Sequence, residues 1–94
     1  MKAELLLQER HQVAPDAFVA LRIWRVAQSV PGSRHDLKYA LAYVVRSVCV
    51  LRYDNEAGKG DHRHLGDLEF AYAFSTLDRL LSDFWNDVDQ WRPE

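Results

Sequence analysis

The chain is poor in the residues that mark several protein classes. It has one cysteine, Cys49, among 94 residues, so no intrachain disulfide can form and nothing points to an oxidising compartment. Four glycines and three prolines are too few for a fibrous or low-complexity chain, and no internal repeat is present. No apolar run approaches the ~20 residues that a bilayer-crossing helix needs. The opening Met1-Lys2-Ala3-Glu4-Leu5-Leu6-Leu7 places an acid inside a short apolar run and has no A-x-A site, so it does not read as a secretory leader. A cytoplasmic protein without a membrane association is the expectation. Phosphate-loop spacing is missing, because Gly58-Lys59 runs into Gly60 and no spaced glycine precedes it. EF-hand spacing fails after Asp54 and Glu56.

A strong excess of positive charge is also missing. The net charge is -2 and the isoelectric point about 6.0, which argues against a uniformly basic nucleic-acid binder. The total conceals a division. Residues 1–64 hold ten Lys/Arg against seven Asp/Glu, whereas residues 65–94 hold two Arg against seven Asp/Glu. Such a division marks surfaces that meet different partners.

What remains is ordinary globular material, 48% hydrophobic and 12% aromatic, of a length that fits a single domain over residues 1–94. Strands are expected over residues 3–10, 17–26, 36–46, 48–53 and 68–74. Val19, Leu21 and Ile23 share one face of the second; Leu37, Tyr39, Leu41, Tyr43 and Val45 share one face of the third. A hairpin near Arg46-Ser47 joins the third and fourth strands without the usual Asn-Gly signal. The last segment changes period. Leu77, Leu80, Leu81, Phe84, Val88 and Trp91 follow helical spacing, with Ser75 read as the cap and Asp78 as its partner. The fold class is α+β: an antiparallel sheet of about five strands with a C-terminal helix packed on one face.

Residues 52–64, Arg-Tyr-Asp-Asn-Glu-Ala-Gly-Lys-Gly-Asp-His-Arg-His, stand apart. They contain no large aliphatic side chain and two of the four histidines, and they follow directly on a strand. In an extended chain His62 and His64 point to one side. There they would serve as a general acid–base pair, or bind a metal together with Asp61 or Asp54. Lys59 and Arg63 suit a phosphate. The plainer reading is a solvated polar turn. His35, on a neighbouring loop, would approach the same site or lie on the surface. Lys38 and Arg22 would line a basic sheet face or be its ordinary solvent side. Trp24 and Tyr39 suit base stacking or a core. Cys49 reads as a small buried hydrophobe, Ser33 has no evident triad partners, and Trp85 and Trp91 read as packing residues.

Arg52-Tyr53-Asp54-Asn55 followed by His62-Arg63-His64 resembles the TumE family of small prokaryotic toxins. Ser33, His35, Tyr39 and the hairpin leading into Arg52 share that layout, and the resemblance covers roughly residues 30–91. Many relatives carry further histidines where this chain has Glu56-Ala57-Gly58-Lys59-Gly60-Asp61. The resemblance implies a growth-inhibiting toxin with a cognate antitoxin, itself a DNA-binding protein. By analogy with toxins of this size it implies RNA as the substrate and a small endoribonuclease, with metal-independent chemistry preferred and no cofactor. Under that expectation His62, His64, Asp54 and Lys59 are catalytic, and Arg52, Arg63, Tyr53, His35 and Lys38 bind substrate. The alternative is a non-catalytic protein that inhibits a target by binding, with Asp54, Asn55 and His64 tying the loop to the sheet. A homodimer through a strand edge is compatible with either.

Overall fold

The computed structural model describes residues 3–56 and 58–93; Met1 and Lys2 of the stretch read above as no leader, and Ala57 of the polar segment, lie outside them. Six strands follow one another as a meander: β1 (Glu4–Ala14), β2 (Ala17–Arg25), β3 (Leu37–Val45), β4 (Val48–Asp54), β5 (His62–Leu65) and β6 (Leu68–Ala71), with a helix α1 (Leu77–Gln90) after them. Every neighbouring pair is antiparallel, and the sheet order is the chain order. The expected α+β class and the C-terminal helix are thus present, with six strands rather than about five.

Period-two patterning sets the two faces of the sheet. Val19, Leu21 and Ile23 of β2, Leu37, Tyr39 and Leu41 of β3, and Leu51 and Tyr53 of β4 form the core with Leu80, Phe84 and Val88 of α1. Each large side chain buried this way contributes about 1.5–3 kcal/mol. The helix starts at Thr76, whose Oγ1 accepts a hydrogen bond from the Arg79 backbone N–H at 3.1 Å; the cap is therefore Thr76 and not Ser75. It ends at Trp91, which is extended and precedes Arg92-Pro93.

The β3–β4 turn falls on Arg46-Ser47, as expected, with both residues at positive φ, 50° and 67°. This is the conformation a two-residue hairpin demands and one that glycine or asparagine adopts more easily. Two bonds to Asp16 hold Arg46 in place: its N–H donates to the Asp16 carbonyl at 2.8 Å and its Nε to the carboxylate at 3.0 Å.

Three local expectations change. The strand read over 68–74 stops at Ala71, and Tyr72 and Phe74 leave the sheet to pack on the core. Cys49 is exposed. A bulge between Tyr43 and Val44 pairs Val44 with Cys49, which carries the thiol to the solvent side. Finally, residues 52–64 are not one loop. Arg52–Asp54 complete β4, and His62–Leu65 form β5 beside it.

Candidate functional site

The strand register carries two rows of side chains across the face of the sheet that α1 leaves open. One row runs Gln8, Arg22, Ala40, Asp54 and His62; the other runs Arg10, Ala20, Ala42, Arg52, His64 and Glu69. Lys38 stands in the next position beyond Ala40, opposite Trp24. Alanines at 20, 40 and 42 leave a shallow depression of about 420 Å³ bordered by Arg10, Arg22 and Arg52. The Arg10 guanidinium carbon lies over the Phe18 ring, 3.7 Å from its centroid, a cation–π contact that pins it.

At one end of these rows stand His62 and His64, with ring centroids 6.3 Å apart. His62 Nδ1 lies 2.7 Å from the Gly60 carbonyl. A carbonyl only accepts, so Nδ1 carries the proton and the neutral ring keeps its lone pair on Nε2. That Nε2 is 3.6 Å from a Glu69 carboxylate oxygen, His64 Nε2 is 3.9 Å from the same oxygen, and Lys59 Nζ is 3.4 Å from it. Glu69 thus gathers the three groups. Beside them Arg52 donates from Nε to Asp54. That bond raises the Arg52 guanidinium above its usual value, so its charge is permanent. Among the described residues, no group of three or more His, Cys, Asp or Glu side chains is arranged to hold a metal ion.

Tyr53 and Arg63 alternate with these residues and so face the other way. The Tyr53 hydroxyl donates to the Asp87 carboxylate, and an Arg63 Nη donates to the same oxygen at 3.1 Å. Burial, together with the bond to Asp87, raises the Tyr53 phenol. The two residues clamp β4 and β5 to α1 and do not reach the histidine pair.

His35 also belongs to the core side. Three donors converge on Asp61: Ser33 Oγ at 2.7 Å, Tyr39 OH at 2.7 Å and His35 Nε2 at 2.8 Å. Burial opposes ionisation of Asp61, but the bonds from Ser33, Tyr39 and His35 outweigh it and hold the carboxyl below its usual range. His35 Nδ1 accepts from the Leu37 N–H at 3.2 Å, and the ring stacks on Phe74 at 3.7 Å. Both ring nitrogens of His35 are thus engaged on the core side, away from the histidine pair. Asn55, fully buried, donates to the Leu37 carbonyl at 2.8 Å and to Ser33 Oγ at 3.1 Å, and accepts from the Tyr39 N–H at 3.0 Å. These bonds tie the segment before β3 to the segment between β4 and β5. The two come so close that a Cβ on Gly32 would lie 2.4 Å from the Gly60 nitrogen.

The structure therefore brings His62, His64, Asp54, Lys59, Arg52 and Lys38 to one face and places Tyr53, Arg63 and His35 on the other. Reading the segment as a loop missed Glu69, Glu56 and Arg10, whose place appears only once the register is known. Asn55 does tie the segment down, as the non-catalytic alternative expects of it; Asp61, the other half of that tie, was not foreseen. The one available signal was the pair of glycines, since Gly58 and Gly60 both take positive φ, 76° and 90°, and turn Asp61 inward.

The sequence profile of the family described as Toxin TumE matches residues 2–92. The chain belongs to the TumE family. The match takes in β1 and β2 as well as the motif-bearing region, a wider span than the resemblance over residues 30–91. No curated protein and no solved structure matches the chain. TumE proteins are toxins of toxin–antitoxin modules, so a cognate antitoxin is this toxin's partner. No helix among the described residues is long and apolar enough to cross a membrane.

Proposed function

We propose that this TumE toxin arrests growth by cleaving RNA, without a metal, on the open face of its sheet. The observation that carries this reading is the register: it sets two histidines, one with Nδ1 bonded to a carbonyl and Nε2 3.6 Å from the Glu69 carboxylate, beside Arg52 at the end of a depression bordered by further arginines. Cleavage of a phosphodiester by its own 2′-hydroxyl needs a base for the hydroxyl proton and an acid for the leaving oxygen. It also needs fixed positive charge where the phosphorane develops. His62, through Nε2, is the base and His64 the acid. Arg52 and Lys59 stabilise the charge, Asp54 orients Arg52, and Lys38 helps to hold the strand. The protein works in the cytoplasm, its antitoxin is a DNA-binding protein, and the open edge of β6 is where a second copy would pair.

The test uses His62→Ala and His64→Ala. Both side chains lie outside the core, so both variants fold and still bind antitoxin, yet RNA cleavage falls by about 10²–10⁴-fold and growth arrest is lost. Cleavage by the unaltered toxin persists with a chelator present. Intact RNA under all conditions, from a toxin that still arrests growth, overturns the reading.

A second reading has its own observation: Asn55 and Asp61 spend their hydrogen-bonding capacity on joining two segments. In that reading the polar segment is a scaffold for a non-catalytic inhibitor, and the histidine variants either unfold or keep their toxicity.

A further inference from the structure

Glu56 lies just beyond β4 and turns its carboxylate back over the open face. Three cations from three strands converge on it. An Arg22 Nη (β2) is 3.6 Å and Lys38 Nζ (β3) 3.9 Å from one oxygen, and an Arg52 Nη (β4) is 3.5 Å from the other. All three distances exceed the ~2.7–2.9 Å of a well-made charge-assisted hydrogen bond. One planar carboxylate is too small to satisfy cations spread over three strands. A tetrahedral phosphodiester has more breadth and more acceptor positions. The three cations remain 40–50% exposed, so a ligand from solvent reaches them. The depression bordered by Arg10, Arg22 and Arg52 opens directly beside them, and Trp24 lies on the same face opposite Lys38.

We infer that Arg22, Lys38 and Arg52 form a seat for one phosphodiester of single-stranded RNA, and that Glu56 fills the seat as an internal competitor until the strand displaces it. This rests on the reading of the open face as an RNA surface. It adds Arg22 to that surface and gives Glu56 a role that opposes binding, so that only a polyanion able to engage several sites at once displaces it. Neither role belongs to the cleavage step.

The test measures anisotropy of a fluorescent 2′-O-methyl oligonucleotide, whose blocked hydroxyl cannot be cleaved, at low salt. Glu56→Gln binds it roughly three- to ten-fold more tightly than the unaltered toxin. Asp89→Asn makes the same change in net charge on the exposed side of α1 and moves affinity much less. Arg22→Gln and Lys38→Gln each weaken binding, and in the Arg22→Gln/Lys38→Gln background Glu56→Gln gains no more than Asp89→Asn does. That coupling is what a shared seat requires. If the toxin binds the oligonucleotide but Glu56→Gln matches Asp89→Asn, the seat is overturned and the RNA reading stands. If neither toxin nor Glu56→Gln binds it, both fall. The exposed Arg22 and Lys38 variants retain the fold, so their result decides the matter even if Glu56→Gln perturbs the turn.

Discussion

Asp61 is the residue whose removal should change the molecule most for the fewest atoms. Its carboxylate accepts from Ser33 and His35, in the segment leading into β3, and from Tyr39 on β3 itself. An unfolded chain binds a proton at an ordinary aspartate value of about 3.9, whereas the folded state holds Asp61 lower. The unfolded state therefore takes up the proton first as pH falls. The stabilisation is fully present above that ordinary value and is lost as pH drops through the lower, native one. Asp61→Asn offers one acceptor to three donors. It should cost about 1–3 kcal/mol at neutral pH and flatten the fall in stability on acidification, as read by denaturant unfolding at a series of pH values. Some slope persists, because the hydrogen bond from Tyr72, and then Arg79, hold Asp83 low as well. An unchanged slope would show that Asp61 is not the group that titrates.

At the scale of elements, β2, β3 and α1 were legible because each buries one face against apolar partners. Val19, Leu21 and Ile23, the alternation from Leu37 to Val45, and the spacing from Leu77 to Val88 all leave that mark. β5 was not legible. Its residues His62, Arg63, His64 and Leu65 are polar on one face because that face is open, and only Leu65 on the other is apolar. Alternation cannot show where neither face is wholly buried. The same blindness grouped Arg63 and Tyr53 with the histidines: adjacent residues in a loop can converge, but in a strand they part. Which polar residues share a site was thus hidden until the strand was known, although their chemistry was visible. The helix supplies the clearest test of the element scale. Leu80, fully buried, is its most N-terminal core anchor. Leu80→Ala should cost about 2–5 kcal/mol through the cavity it leaves under α1. The loss should appear as a lower denaturant midpoint with the slope unchanged. A loss below about 0.5 kcal/mol, the size typical of surface substitutions, would mean that the helix does not seal the core.

The whole molecule explains how a chain of net charge -2 can present a surface to a polyanion. The acid excess of residues 65–94 resides largely on α1, in Asp78, Asp83, Asp87 and Asp89. That helix covers the core side of the sheet. Arg10, Arg22, Lys38 and Arg52 stand on the opposite side. At physiological ionic strength charges act over about 8 Å, so a strand on the open face senses the cations beneath it far more than the acids behind the core. The position of a charge, and not the total, should then govern binding. Arg10→Gln and Arg79→Gln each change the net charge from -2 to -3, one on the open face and one on α1. If RNA lies across the depression, Arg10→Gln makes the salt dependence of oligonucleotide affinity shallower by about 0.7 in log–log slope, the loss of one phosphate contact on a single strand. Arg79→Gln leaves the slope as it was. Equal effects from the two would mean that total charge alone steers the polyanion, and the open face would lose its claim to be the RNA surface.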